Sequence, residues 1–159
     1  MKKFITFAII ITTLVSCGNN FEKDFNNSVD NLKMYGEQCI NHFGEETEYI
    51  CQDNIRLMKK GKKISKHFHY QMDSLNVEIS KDVEMVIKKS FDNLFKKYGE
   101  KKTIEKINEI GNEKHYKPMV FKTKEEYYQN GADALEAAIN ERITEKLRDC
   151  KLELELMNL

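Results

Sequence analysis

The sequence is poor in residues that interrupt regular structure. Among its 159 residues only Pro118 is a proline, seven are glycines, and none is tryptophan. A single proline permits long helices or strands over nearly the whole chain, because proline removes a backbone donor and breaks such elements. Glycine-rich phosphate loops and nucleophile elbows need several glycines at fixed spacings, and no such motif occurs in the sequence. We therefore expect a non-catalytic protein without cofactors.

An excess of charge of one sign is also missing. The chain carries 26 basic and 26 acidic residues, which make up a third of it. Nucleic-acid binding domains usually display a basic surplus that neutralises phosphates. We therefore expect no nucleic-acid partner, and the mixture instead suits amphipathic helices with paired charges on their outer faces.

No apolar run is long enough for an ordinary membrane span. The longest apolar run, 4–15, carries no charge and has twelve residues, whereas a spanning helix needs about twenty. Lys2 and Lys3 precede this run, and Leu14-Val15-Ser16-Cys17 closes it. A basic start, a short apolar region and a small residue before the cut are typical of a secretory signal.

The tetrapeptide Leu14-Val15-Ser16-Cys17 resembles the lipobox of bacterial lipoproteins. The resemblance implies cleavage between Ser16 and Cys17, a diacylglycerol on the Cys17 sulfur, and an acyl chain such as palmitate on its amine. Several acyl chains hold a protein on a bilayer far more firmly than one. Gly18 after the cysteine indicates an outer-membrane destination, facing the periplasm or the cell surface. An ordinary cleaved signal and a retained membrane helix are the alternatives.

The remainder is predicted to be one helical domain. We assign 1–16 to the signal peptide, 17–20 to a lipidated tether and 21–159 to the domain, since no Ser/Gly/Pro-rich linker or repeat divides it. Apolar residues recur every three or four positions, as on a helical face. The first such stripe comprises Phe21, Phe25, Val29, Leu32, Tyr35, Cys39 and Phe43.

Glycines suggest where the first helices end. Gly44 is predicted to stop the first helix and Gly61 a second one that begins near Thr47, which together would form a helical hairpin. The stretch 64–79 fits either a helix or a short β-hairpin at 66–79, and the helix is favoured because its central Asp73-Ser74 lacks the usual turn glycine. The fold class is therefore a small all-α bundle, with α+β as the alternative.

Two further helices complete the predicted bundle. The stretch 80–98 has a continuous apolar stripe and ends at Gly99, and a short segment reaches Gly111. Thr123 and Glu126 fit a capping box, in which each side chain satisfies a backbone donor at the helix start. Apolar positions then continue from Tyr128 to Leu154, which predicts a long C-terminal helix.

Three cysteines remain once Cys17 is assigned to lipid, and exported proteins favour disulfides. In the predicted hairpin, Cys39 and Cys51 lie about one turn before and after the connection, on facing stripes. We therefore predict a Cys39–Cys51 disulfide. A bridge from Cys150 to either of them and buried free thiols are the alternatives.

Other candidate residues give weaker signals. His67 and His69 would share a face of a strand and form half a metal site, but they diverge on a helix, so no metal is predicted. Tyr127 and Tyr128, near Phe121, could form an aromatic recognition patch, although burial in the core is the default.

The lipobox-like tetrapeptide is the only strong indication of function in the sequence. The leading hypothesis is a non-catalytic envelope lipoprotein, held on the lipid bilayer through acylated Cys17, that binds another envelope protein. Its oligomeric state is not specified by the sequence. The alternatives are an immunity, exclusion or inhibitor lipoprotein of a mobile element, and a lipoprotein that binds a small ligand or a metal.

Overall fold

The computed structural model describes residues 20–114 and 120–157, and their side chains as far as 112 and from 120 to 151. Within these ranges the chain forms four helices and no strand. The predicted all-α fold is confirmed, and the alternative β-hairpin at 66–79 is wrong because these residues are helical. The helices are α1, Asn20–Lys59; α2, Ser65–Tyr98; α3, Glu100–Lys114; and α4, Lys124–Met157.

The predicted interruption at Gly44 is wrong, because α1 runs through it as one helix of 40 residues. Gly44 is buried, and a Cβ atom added to it would lie 3.0 Å from Cγ of Arg142 on α4. The missing side chain therefore lets α4 pack closely against α1. This packing, with the fully buried Phe43 beside it, offsets the roughly 1 kcal/mol that glycine costs inside a helix.

Gly61 and Gly99 do mark helix ends. Their φ angles are +73° and +83°, in the left-handed region that favours glycine. The Gly99 N–H donates to the Phe95 carbonyl and completes the last turn of α2. The hairpin predicted around Gly44 is therefore absent, and a different helical hairpin joins α1 to α2, with its turn at Gly61. Gly111 does not end α3, which continues to Lys114.

The first two helices run antiparallel over their whole length. At one end the Asp24 carboxylate of α1 accepts hydrogen bonds from Lys97 and Tyr98 of α2, both at 2.7 Å. At the other end Asn54 Nδ2 donates to Gln71 Oε1 at 2.7 Å. We call the end that holds Asn20 and Tyr98 the proximal end, and the end that holds the 60–64 connection the distal end.

The long C-terminal helix α4 is parallel to α1 and antiparallel to α2. Lys146 pairs with Glu48 of α1, and the Tyr128 hydroxyl donates to Asp92 of α2 at 2.7 Å. Short α3 covers the proximal end, where Lys106 lies 3.2 Å from Glu22 of α1. Three long helices therefore form the body, and α3 closes one end of it.

The predicted apolar stripes are buried and meet in one core. Its proximal part is rich in aromatic rings in edge contact; for example, the Phe91 and Tyr127 centroids are 5.1 Å apart. Its middle part is aliphatic, with Leu135 and Ile139 fully buried. The aromatic residues of the proximal part are Phe21, Phe25, Phe91, Phe95, Tyr98, Phe121, Tyr127 and Tyr128.

Candidate functional site

Ser16 and Cys17, predicted to be the cleavage and lipidation site, lie outside the described residues. Three positions separate Cys17 from Asn20, the first described residue and the start of α1. Three extended residues reach at most about 10 Å. A lipid on Cys17 would therefore hold the proximal end close to the bilayer. None of the described helices combines the length and the apolar composition needed to cross a membrane.

The predicted Cys39–Cys51 disulfide is wrong. Cys51 pairs with Cys150 of α4, at a Cα separation of 5.8 Å, and Cys39 is free and buried. Because α1 is continuous, Cys39 and Cys51, twelve positions apart, are separated by about 18 Å along the helix axis. A disulfide requires Cα atoms within about 7 Å, so this pair cannot join.

The Cys39 thiol lies beside a surface pocket between α1 and α2. Burial, with a smaller contribution from nearby Asp82, raises the pKa of Cys39 to about 11. The thiol is therefore protonated at neutral pH and is a poor nucleophile. The pocket has a volume of about 250 Å³, and its wall includes Tyr35, His42 and Met85. These properties fit a small core residue at the edge of a groove better than a reactive site.

A second pocket, of about 390 Å³, lies between α2 and α4. Lys124 and Tyr128 line it, and both bind Asp92, at 3.2 and 2.7 Å. The Tyr128 hydrogen bond, followed by Lys124, lowers the pKa of Asp92. Glu84 and Lys88 on the same wall pair with each other. Four polar side chains of this pocket, those of Glu84, Lys88, Lys124 and Tyr128, are thus already paired within the protein.

The two histidines of the H-x-H sequence lie on α2 and do not converge. His67 Nε2 lies 3.5 Å from Asp53 of α1, whereas His69 is exposed. In the part of the chain that the structure describes, no three His, Cys, Asp or Glu side chains come together as metal ligands would. His67 instead contributes to the contact between α1 and α2.

The tyrosine pair is buried, so the hypothesis of an exposed aromatic recognition patch is wrong. Tyr127 and Tyr128 are 4% and 7% exposed. Tyr127 contacts Phe121 in an edge geometry, with ring centroids 5.5 Å apart. Burial raises the pKa of both tyrosines, and the Asp92 carboxylate adds to this effect for Tyr128. These residues belong to the core that joins α2 to α4.

The distal end carries a concentration of positive charge that the balanced total conceals. Between residues 56 and 69 the sequence has six lysine or arginine residues and no acid. All six side chains are exposed. We call them the distal basic surface: Arg56, Lys59, Lys60, Lys62, Lys63 and Lys66. A charge count in short windows finds this surface, whereas a count over the whole chain does not.

Local hydrogen bonds give the distal connection a defined shape. The Gly61 N–H donates to the Met58 carbonyl at 2.8 Å, and the Lys60 and Lys62 N–H groups both donate to the Leu57 carbonyl at 3.1 Å. This pattern ends α1 with a left-handed glycine. The lysines on both sides of Gly61 are therefore presented by a turn with satisfied backbone groups.

The distal end also exposes an aromatic side chain next to these positive charges. Tyr70 of α2 is 71% exposed, and it stands one turn after Lys66 on the same helical face. Immediately below the surface, the Cys51–Cys150 disulfide packs with Ile55, Phe68 and Leu147. The buried cluster around this disulfide thus supports the exposed lysines and Tyr70 from below.

Comparison of the chain with known proteins found no matching family model, curated protein or solved structure.

Proposed function

We propose that this protein is a non-catalytic bacterial envelope lipoprotein, anchored through Cys17, that binds another envelope protein. The observation that carries the proposal is Leu14-Val15-Ser16-Cys17 at the end of a short apolar run. A lipobox at that place couples export, cleavage and acylation. It also supports a location in the bacterial envelope. We propose that this location is the outer membrane.

The shape of the helical body supports a tethered binding role. With 40 residues and a rise of 1.5 Å per residue, α1 is about 60 Å long. Its first residue lies three positions after Cys17, so lipid would hold one end of the bundle and leave the other remote from the bilayer. The disulfide between α1 and α4 also suits an oxidising compartment outside the cytoplasm.

Lipidation is tested by expressing the full chain in a bacterium and measuring incorporation of labelled palmitate. We expect labelled wild-type protein in the membrane fraction. The Cys17→Ala variant is expected to be unlabelled and to retain its uncleaved leader. Cys39→Ala is the matched control, because it removes a cysteine without removing the proposed acylation site. Unlabelled wild-type protein, or equal labelling of Cys17→Ala, would refute the anchor.

The binding half of the proposal needs a separate experiment. Chemical cross-linking in intact cells, followed by purification from detergent-solubilised envelopes, should return the same partner repeatedly. The yield should fall for Cys17→Ala, because the unanchored protein is no longer concentrated at the membrane. Consistent recovery of the protein alone, despite normal lipidation, would contradict a binding role.

A further inference from the structure

We infer that the distal basic surface is a docking site for an acidic segment of a partner protein. This inference rests on the proposed function and names the part of the molecule that performs the binding. The argument combines the charge of the surface, its conflict with local helix electrostatics, and its position in the fold.

The positive charge of the surface is poorly compensated. Arg56 pairs with Asp53 at 2.6 Å. Among the described side chains, no ion pair involves Lys59, Lys60, Lys62, Lys63 or Lys66. The last eight residues of the sequence, whose side chains are not described, contain two acids, Glu153 and Glu155, against the six cations. Close like charges repel one another, so this cluster is unfavourable for the compact state at low ionic strength.

The requirements of the helices explain only part of the cluster. Cations near the C-terminus of a helix are stabilised by its dipole, and this accounts for Arg56 and Lys59 in the last turn of α1. Lys66 lies in the first turn of α2, which contains no acid. A cation there faces the positive end of the dipole and is unfavourable. Lys63, just before the N-cap residue Ile64, adds to the same conflict, whereas Lys62 is bonded to the last turn of α1. A role in binding would explain why these cations are present, whereas local helix stability does not.

The position of the surface argues against the anchoring membrane as its partner. The surface lies at the far end of α1, about 60 Å from Asn20. Electrostatic attraction is screened over about 8 Å at physiological ionic strength. A bundle that stands away from the bilayer holds the surface out of reach of the headgroups around the lipid anchor, which favours an anion on another molecule.

The composition of the surface favours a protein over an anionic polymer. Tyr70, 71% exposed, lies one turn after Lys66, and tyrosine is enriched at the energetic centres of protein interfaces. The hydrogen-bonded turn at Gly61 fixes the backbone positions from which Lys60 and Lys62 extend, which suits a partner of defined shape. We therefore expect a segment with several Asp or Glu residues and an apolar side chain that contacts Tyr70. Its association should be steered by charge and weakened by salt.

The test introduces a photo-activatable phenylalanine analogue at Tyr70 in the full lipidated chain, in the native bacterium. The same analogue at Met85, an exposed residue further along α2, is the position control. We expect a discrete protein adduct from position 70 and none from position 85. Mass spectrometry should place the cross-link in an acidic segment of the captured protein.

Charge reversal then tests the lysines. Lys60→Glu, Lys62→Glu and Lys63→Glu together should reduce the position-70 adduct about tenfold, since each lost charge pair weakens binding. Lys81→Glu, Lys96→Glu and Lys101→Glu make the same charge change at exposed sites elsewhere and should leave the yield unchanged. Circular dichroism melts confirm that both triple variants fold.

Several outcomes would overturn the inference. These are an adduct that survives distal reversal, one that falls equally in the control variant, and a cross-link to phospholipid or glycan. A fourth is the absence of any adduct at position 70 in protein that carries palmitate; it would reject this docking site and leave the anchor standing. Protein without palmitate would instead contradict the proposed function itself.

Discussion

Cys51 of α1 and Cys150 of α4 form a disulfide with a Cα separation of 5.8 Å, although 99 residues separate them in sequence. The bond joins the first described helix to the last near the distal end. Aromatic packing holds the proximal end, where Phe91 and Phe95 of α2 contact Tyr127 of α4. The two ends of the bundle are thus stabilised by different chemistry.

Reduction of this disulfide should substantially destabilise the protein. A bridge that closes a loop of about 100 residues contributes about 4.7 kcal/mol in the chain-entropy model. We expect the free energy of unfolding, measured in urea, to fall by about 4 to 5 kcal/mol on reduction. The Cys51→Ala/Cys150→Ala variant should show the same loss and no further response to reductant, whereas Cys39→Ala should still respond. A peptide map under non-reducing conditions that placed Cys39 in a bridge would contradict the structure.

Enlargement of Gly131 should disturb the contact between α2 and α4. A Cβ atom at Gly131 would lie 3.2 Å from Cδ1 of Ile87, and Ile87 is buried in the core. Gly131→Leu should therefore lower the free energy of unfolding by about 1 to 3 kcal/mol. Ala137→Leu makes a comparable enlargement at an exposed position of α4 and should change it by less than about 0.5 kcal/mol. Equal effects of the two changes would disprove this packing.

Asp92 should contribute to loss of stability in acid. The Tyr128 hydrogen bond, together with Lys124, holds the pKa of Asp92 below its ordinary value of 3.8. Its contribution is therefore present above about pH 4 and is lost as the pH falls through the lower folded-state pKa. The Asp92→Asn variant should be less stable near neutrality and show a shallower decline below pH 4. Urea unfolding between pH 2.5 and 6 measures this, with exposed Asp30→Asn as the control; identical slopes for Asp92→Asn and wild type would exclude the contribution.

The cap at the start of α4 should be measurable locally. Thr123 Oγ1 accepts a hydrogen bond from the Glu126 N–H at 3.1 Å, while Glu126 accepts one from the Lys122 N–H at 2.6 Å. Thr123→Ala should cost about 1 kcal/mol and accelerate amide exchange in the first turn of α4. Thr144→Ala, at an exposed site within the helix, should leave that exchange unchanged. Unaltered first-turn exchange in Thr123→Ala would show that the cap is dispensable.

The local patterns of the sequence predicted most of the secondary structure. The stripe from Val83 to Phe95, the glycine ends at Gly61 and Gly99, and the cap at Thr123 all depend on residues within a few positions of one another. The helical interpretation of 64–79 was also confirmed, because its apolar residues continue the stripe of α2. Such features follow from backbone propensity and periodicity, which the sequence contains directly.

Gly44 and the cysteines show where local reasoning failed. A glycine can end a helix or admit a neighbouring one, and its sequence context favoured the first interpretation. The structure has the second, since Arg142 of α4 occupies the space beside Gly44. The disulfide prediction depended on that turn, so the same error placed Cys39 and Cys51 together. Tyr127 and Tyr128 are buried in the core, which is the default expectation for such residues.

The sequence by itself determined the helical character of the domain, the faces its helices bury, the cap of α4 and the charge run around Gly61. It also contains the lipobox-like tetrapeptide on which the proposed anchor depends. Only the tertiary structure decided that α1 is continuous, that Cys51 meets Cys150, and that the lysines lie at the end remote from Asn20. These outcomes depend on how closely α4 packs alongside α1, a contact between residues almost 100 positions apart that no local pattern specifies.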